Sequence, residues 1–518
     1  MNKHSRTANS TINFAVNIIY QFVIIILAFF SRRVFIESLG VEFLGINGLF
    51  TNIITVLSLS ELGVGAAIHY SMYKEIADGN KERLKALTTY YKTLYNRIAL
   101  IVFIVGIAIL PFLRFIINLE KNIDHIELYY LISLLGTVSS YLFVYKTSIV
   151  SADQSEYKIK SINMIIRFLI TVLQIVSLVV FKNYFIFIVI ELLLGIIGNF
   201  ICAKLAEKWY PFIKENAELS KAEKKEIWTN IKAMFVYKVS CVFLNNTDNI
   251  IISVIVGTNY VGYNSNYYMI SNKINAIINM LFGAIRPSIG NFNAQAPAKE
   301  QYGLFKNVSF MAYWLYSFAT IGVFFCGEDF IRIITASNSF VLGFPIILAT
   351  SLNLYVGVLK SAIGMYRETT GLFKLSKYVI FVSSIINIVL SIILGNIYGL
   401  FGVLIATFIS RLVCDVWYEP YIMFKKMFNV SPKEFYLCQV KYAILTIILV
   451  AILYPLISFI TIDNLYFRII LKFIVCTLIV NTIYLILYHK NEQFIYLKNK
   501  IITILKAIFS KVATKESN

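Results

Sequence analysis

Residues 39–50 read LGVEFLGINGLF, and 217 positions later residues 256–267 read VGTNYVGYNSNY. In that register Gly40 meets Gly257, Gly45 meets Gly262 and Asn47 meets Asn264, with aromatics matched at Phe43/Tyr260 and Phe50/Tyr267. The same shift lays AAIHYS (66–71) on GAIRPS (283–288) and ADQSEYKIK (152–160) on TTGLFKLSK (369–377). One offset holding at three separated places marks an internal duplication. Glycine and asparagine tolerate backbone angles that other residues avoid. Gly40, Gly45, Asn47, Gly257, Gly262 and Asn264 are therefore read as the matched hinge or gate of two related halves.

The surroundings of the repeat set the class of protein. The 518 residues are 58% hydrophobic and 14% charged, against about 25% charged in soluble domains. The apolar residues fall in fourteen blocks, from 13–36 through 234–256 and 267–290 to 466–489. Each is long enough for a helix to cross a bilayer, which takes about 20 residues. Most of the 47 lysines and arginines lie at alternate ends of these blocks, which places both termini in the cytoplasm. The net charge of +19 is then a matter of topology and anionic lipid, not of nucleic acid. The expected fold is an all-α polytopic membrane protein of about fourteen transmembrane helices.

Six blocks separate the two copies, an even number, so both have the same orientation. The repeat is parallel, with its pseudo-twofold axis along the membrane normal, and two lobes around a midplane site is transporter architecture. The expected organisation is an N-lobe over 1–204, a cytoplasmic connector over 205–233 and a C-lobe over 234–424. Helices thirteen and fourteen cover 425–489, and an amphipathic cytoplasmic tail covers 490–518. In the connector Ser220 and Glu223 fit a capping box, and Ile227, Trp228 and Ile231 are placed at the membrane interface. The first block is too long for a cleavable signal and is read as a retained helix. The six cysteines have no metal-ligand spacing and read as small apolar filler. No cofactor is expected.

FIESLGVEFLGINGLFTNIITVLSLSELGVGAAIHYSMYKEIADGNKERLKAL (35–87) resembles the opening of bacterial polysaccharide flippases, the Wzx-type lipid-linked oligosaccharide translocases. YKTSIVSADQSEYKIKSIN (145–163) resembles their fourth-helix exit. That family belongs to a superfamily that also contains multidrug extruders and lipid II flippases. The resemblance implies two lobes around a cavity that opens alternately to each side of the bacterial cytoplasmic membrane. It implies as cargo an undecaprenyl-diphosphate-linked oligosaccharide, turned from inner to outer leaflet for a surface polymer of O-antigen, capsule or teichoic type. Membrane lipids, and the polymerase and glycosyltransferases of the same pathway, are the implied partners.

Charge inside the spans bears on that implication, because an ionisable residue at the bilayer centre costs about 2.5–3.5 kcal/mol and normally faces a cavity or a partner. In the resembling superfamily the first two helices of each lobe line the cavity, and cations there hold the diphosphate. Arg32, Arg33, Lys273 and Arg286 are the candidates here, since arginine grips phosphate through a planar fork and lysine as a point charge. The alternative for Arg32 and Arg33 is snorkelling to the outer headgroups. Glu61, Asp248 and His69 are candidates for pairing with these cations or for coupling to H⁺ or Na⁺. Arg411 and Asp415, four apart, are expected to pair with each other. Glu191 has no evident partner, and Lys472 is expected to snorkel.

Two rival classes are weighed against the flippase. A polytopic polymerase or glycosyltransferase needs acid, base or metal ligands on a sizeable outer loop, and the outer loops are short. A drug extruder favours an anionic cavity, whereas the candidates here are mixed and somewhat basic. With no Walker motif in the chain, energy is expected from an ion gradient, the membrane potential or the cargo gradient.

Overall fold

A computed structural model describes residues 6–58, 64–65, 71–72, 75–76, 78–118, 123–153, 155–370, 373–500 and 502. Glu61 and His69 lie outside the described residues. Among those described, the regular structure is entirely helical. The principal helices are α1 (Arg6–Leu57), α2 (Lys81–Ile109), α3 (Ile126–Ala152), α4 (Glu156–Phe181), α5 (Tyr184–Trp209), α6 (Lys221–Asn246) and α7 (Asp248–Ile255). They continue as α8 (Thr258–Gln295), α9 (Ala298–Thr335), α10 (Phe344–Thr370), α11 (Phe373–Val413), α12 (Asp415–Met423), α13 (Lys433–Ser458) and α14 (Leu465–Tyr488). This is a multi-pass membrane protein.

Two of these helices are each two spans joined at a glycine. A straight helix of 52 residues, the length of α1, would run about 78 Å, far beyond the roughly 30 Å hydrocarbon layer. It breaks at Gly40, where φ is 85°. In the same way α11 breaks at Gly399, φ 59°. There the chain folds back on itself: a Cβ on Gly402 would lie 2.9 Å from the Gly395 nitrogen, seven residues earlier. Both hairpins need a residue without a side chain at the break, because L-residues rarely adopt a left-handed φ.

Among the described residues ten helices are long and apolar enough to cross a membrane. The expected spans at 234–256 and 267–290 are helical but do not belong to that set. The first is divided between α6 and the short α7, which part at Thr247; for the second the reason is composition, since α8 opens TNYVGYNSNYYMISNK, rich in asparagine, serine and tyrosine. Polar helices in a membrane bundle are tolerated where they face protein or a water-filled cavity. Asn264 and Asn266 of α8 are accordingly buried.

The chain divides into two compact units. Unit 1 comprises 1–269, 334–340 and 380–407, and unit 2 comprises 270–333, 341–379 and 408–518. The core of unit 1 is built by Ile46, Leu49 and Phe50 of α1 with Tyr91 and Tyr95 of α2 and Tyr130, Tyr141 and Ile149 of α3. The capping box at Ser220 forms as expected, but Ile227 and Ile231 join this core rather than the membrane interface. Trp228 stays exposed.

In unit 2 an aromatic wall carries the docking of α13 and α14 on α9. Tyr313 stacks on Tyr442 with ring centroids 3.8 Å apart and planes 6° from parallel. Ser317 and Tyr484 hydroxyls lie 2.8 Å apart, and the Trp314 indole donates to Asn481 Oδ1 at 2.9 Å.

Three intramembrane charges find partners that differ from expectation. Asp415 pairs with Lys360 of α10 rather than with Arg411, and one turn on Glu419 pairs with Arg367. Lys472 does not snorkel; it binds Asp329 Oδ2 at 2.6 Å, in a cluster where Arg468 and Arg332 share Oδ1 at 2.9 and 2.7 Å. Glu191 pairs with Arg167 of α4. Apart from Arg332–Asp329, three apart on α9, each pairing crosses between helices, where linear spacing carries no information.

Candidate functional site

The two copies of the repeated turn dock on each other within unit 1. Gly40 and its counterpart Gly257 both have left-handed backbone, φ 85° and 129°. Gly45 and Gly262 serve a different need. A Cβ on Gly45 would overlap the Thr258 carbonyl oxygen. One on Gly262 would stand 2.6 Å from the Val41 carbonyl oxygen and 3.1 Å from the Gly45 nitrogen. The first pair of glycines thus permits the breaks, and the second permits the α1 and α8 backbones to touch. Asn47 and Asn264 hold side-chain contacts: Asn47 Oδ1 accepts from the Tyr184 hydroxyl at 3.1 Å, and Asn264 Nδ2 donates to Asn249 Oδ1 at 3.4 Å.

Further bonds hold this junction together. Thr258 donates its N–H to the Asn118 carbonyl at 2.8 Å and accepts the Asn118 N–H on Oγ1 at 2.9 Å. Ser253 Oγ donates to the Ile116 carbonyl at 2.6 Å. Ser253 and Thr258 are wholly buried. The segment after α2 is thereby stitched to the second copy of the turn.

Below the junction the two adjacent arginines part company. Arg33 is exposed and forms an i,i+4 pair with Glu37 at 2.8 Å on its own helix. Arg32 turns toward α8, where one guanidinium nitrogen donates to Ser265 Oγ at 3.1 Å and the other lies 3.9 Å from Met269 Sδ. Ser265 in turn donates to the Gly262 carbonyl at 2.7 Å, so Arg32 is tied to the same segment that forms the junction. Arg32 lies eight residues before Gly40, about 12 Å along the helix from the break. Among the described residues no carboxylate pairs with it.

Asp248 occupies the first turn of α7, where the helix dipole favours a negative charge. Its Oδ2 accepts from Thr407 Oγ1 at 2.7 Å, and Asn387 Nδ2 donates to the same hydroxyl at 3.0 Å. Lys273 is half-buried and Arg286 exposed; both stand on α8 within unit 2.

Sequence reasoning did not single out Arg167, which lies within an apolar run. On α4 it shares a stripe with Thr171, Gln174 and Leu178, all buried, rather than with the exposed Ile165, Leu169 and Leu173. Glu191 shares the stripe of Tyr184, Ile188, Gly198 and Cys202 on α5, also buried. The Arg167 and Glu191 side chains are nevertheless 44% and 47% exposed, and a Cβ on Gly195, one turn beyond, would meet nothing. An otherwise closed seam opens here around an ion pair braced by Gln174, whose amide donates to Glu191 at 3.0 Å.

No protein-family model matches the sequence, and no characterised protein matches it by sequence. Solved structures do match by shape. The lipid II flippase MurJ, in an inward closed conformation, aligns with a TM-score of 0.66 over 92% of this chain and 99% of its own, at 16% identity. A multidrug resistance MATE family transporter of the MOP superfamily, inward-facing, gives a TM-score of 0.59 over 78% of this chain and 97% of its own, also at 16% identity. The multidrug transporter DinF-BH gives 0.57 over 83% and 99%, at 16% identity. The chain shares the fold of these solved structures. The expected all-α polytopic fold class agrees with that fold.

Proposed function

We propose that this protein is a flippase that moves an undecaprenyl-diphosphate-linked oligosaccharide from the inner to the outer leaflet of the bacterial cytoplasmic membrane, for surface polysaccharide assembly. Arg32 carries the reading. A guanidinium on a membrane-spanning helix, about 12 Å from the break at Gly40, hydrogen-bonded to a serine and facing no carboxylate among the described residues, is costly unless an anion visits it. A diphosphate meets that need with charge-assisted hydrogen bonds. Lys273 and Arg286 are further candidates for phosphate contact, and Asp248 is assigned to coupling.

The transport cycle follows from the repeat. Residues 1–204 and 234–424 act as rocking lobes, and the docked turns around Gly45 and Gly262 act as the outer gate that parts for release. Arg32 is linked through Ser265 to Gly262, so cargo arriving at Arg32 competes for a contact that helps hold the gate shut. The shape match to MurJ over nearly all of both chains supports a lipid-linked cargo.

The test is reconstitution in proteoliposomes containing the lipid-linked oligosaccharide, scoring its appearance in the outer leaflet. Transport supports the reading. Efflux of a cationic dye without lipid transport replaces it with the drug extruder.

A further inference from the structure

At the end of unit 1 where α2 begins and α3 and α5 finish, a cavity of about 370 Å³ is lined by Thr89, Lys92, Lys146, Lys204, Glu207 and Lys214, among others. Four ammonium groups thus surround a single carboxylate. Glu207 is buried and divides itself between two of them, Lys146 at 2.6 Å and Lys204 at 3.2 Å. The nearby Glu215 is committed elsewhere, to Lys85 at 2.6 Å. Lys92 and Lys214 make no ion pair among the described residues.

The walls hold their shape without a ligand. Thr88 is buried and donates to the Leu84 carbonyl at 2.8 Å, and Thr89 Oγ1 accepts the Ala217 N–H at 3.3 Å, fixing the 210–217 segment against α2. Lysine bias assigns this end of the helices to the cytoplasm. The cavity therefore lies level with the inner-leaflet headgroups. Its size admits one headgroup and excludes a nucleic-acid duplex.

We propose that this pocket binds the phosphate of a lipid headgroup in the inner leaflet, with Lys92 and Lys214 supplying the uncompensated charge and Glu207 fixing Lys146 and Lys204 around it. Basic pockets at the cytoplasmic side of membrane helices bind such headgroups, and lysine binds phosphate as a point charge. The phosphate has two possible sources, the phosphodiester of an anionic phospholipid or the diphosphate of a lipid-linked sugar. The proposal does not depend on the flippase reading, since no residue of the Arg32 site takes part.

The experiment uses the full chain in phosphatidylcholine nanodiscs doped with phosphatidylglycerol, with retained lipid counted by native mass spectrometry. Wild type is compared with a Lys92→Gln/Lys214→Gln double variant and a Lys92→Glu/Lys214→Glu double variant, with and without soluble pyrophosphate. Neutralising both lysines is expected to lower retention about thirtyfold, and reversing them further. Loss in the variants that pyrophosphate does not mimic assigns the phospholipid phosphodiester. Loss that pyrophosphate does mimic assigns the diphosphate. Equal retention by wild type and the glutamine variant, unaffected by pyrophosphate, overturns the proposal; that variant preserves side-chain volume, so the comparison stands even where the glutamate variant fails to fold.

Discussion

Gly262 lies so close to Val41 that a methyl group on it would stand 2.6 Å from the Val41 carbonyl oxygen. The contact joins the two copies of one duplicated segment, and it can exist only while position 262 carries no side chain. Replacing Gly262 with valine is expected to hold the outer turns apart. Cysteine labelling at Val41→Cys from the outer side should then rise about tenfold over the glycine background, a shift of about 1.4 kcal/mol toward the open junction. Unchanged labelling would mean that the turns do not form a seal.

The Asp329 cluster makes a stability prediction. The carboxylate is 1% exposed and serves Arg332, Arg468 and Lys472. Asp329→Ala leaves three cations around an empty position, which should destabilise unit 2 by about 3–5 kcal/mol. Thermal unfolding in detergent measures this. Adding Lys472→Met should restore part of the loss, and no recovery would mean that the pairs are not coupled.

A third expectation concerns the start of α6. The Ser220 side chain and backbone both hydrogen-bond Glu223, and with Arg83 nearby they hold its carboxyl below the usual range. Since the folded-state pKa is depressed, the stabilisation is present at neutral pH and is lost as pH falls through the folded-state value. The protection factor at residues 221–224, that is, exchange corrected for its intrinsic slowing in acid, should therefore fall on acidification. Ser220→Ala should remove about 1 kcal/mol of protection at neutral pH and most of that pH dependence.

The Arg167–Glu191 pair gives a fourth. If it lines the transport route, Arg167→Gln should lower transport several-fold with little loss of protein. A merely structural pair instead predicts that Arg167→Gln and Glu191→Gln lower protein level together and leave transport per molecule unchanged.

Much of this fold was legible in the sequence because a duplication leaves two copies of the same constraint. The match of Gly40 with Gly257 marked the turns, and both do carry left-handed backbone. What the repeat could not separate was why each glycine is there: Gly45 and Gly262 sit in helical backbone and serve close approach. That distinction depends on a neighbour more than 200 positions away. The partners of Asp415, Lys472 and Glu191 were illegible for the same reason, since ion pairs inside a bundle form across helices. Spacing along one helix offered Arg411 for Asp415, whereas packing supplied Lys360. The polar character of α8 was visible in its asparagines and serines, yet a window counting apolar length reads it only as a weak span.

The central claim is that Arg32, and not its neighbour Arg33, meets the cargo's diphosphate. The most direct measurement is outer-leaflet appearance of undecaprenyl-diphosphate-linked oligosaccharide in proteoliposomes for wild type, Arg32→Ala and Arg33→Ala at matched protein level. A charge-assisted contact of about 1.5–3 kcal/mol predicts a fall of roughly ten- to a hundredfold for Arg32→Ala. Arg33→Ala, which removes an exposed i,i+4 pair, should stay within about twofold of wild type. Equal transport by all three proteins would contradict the account.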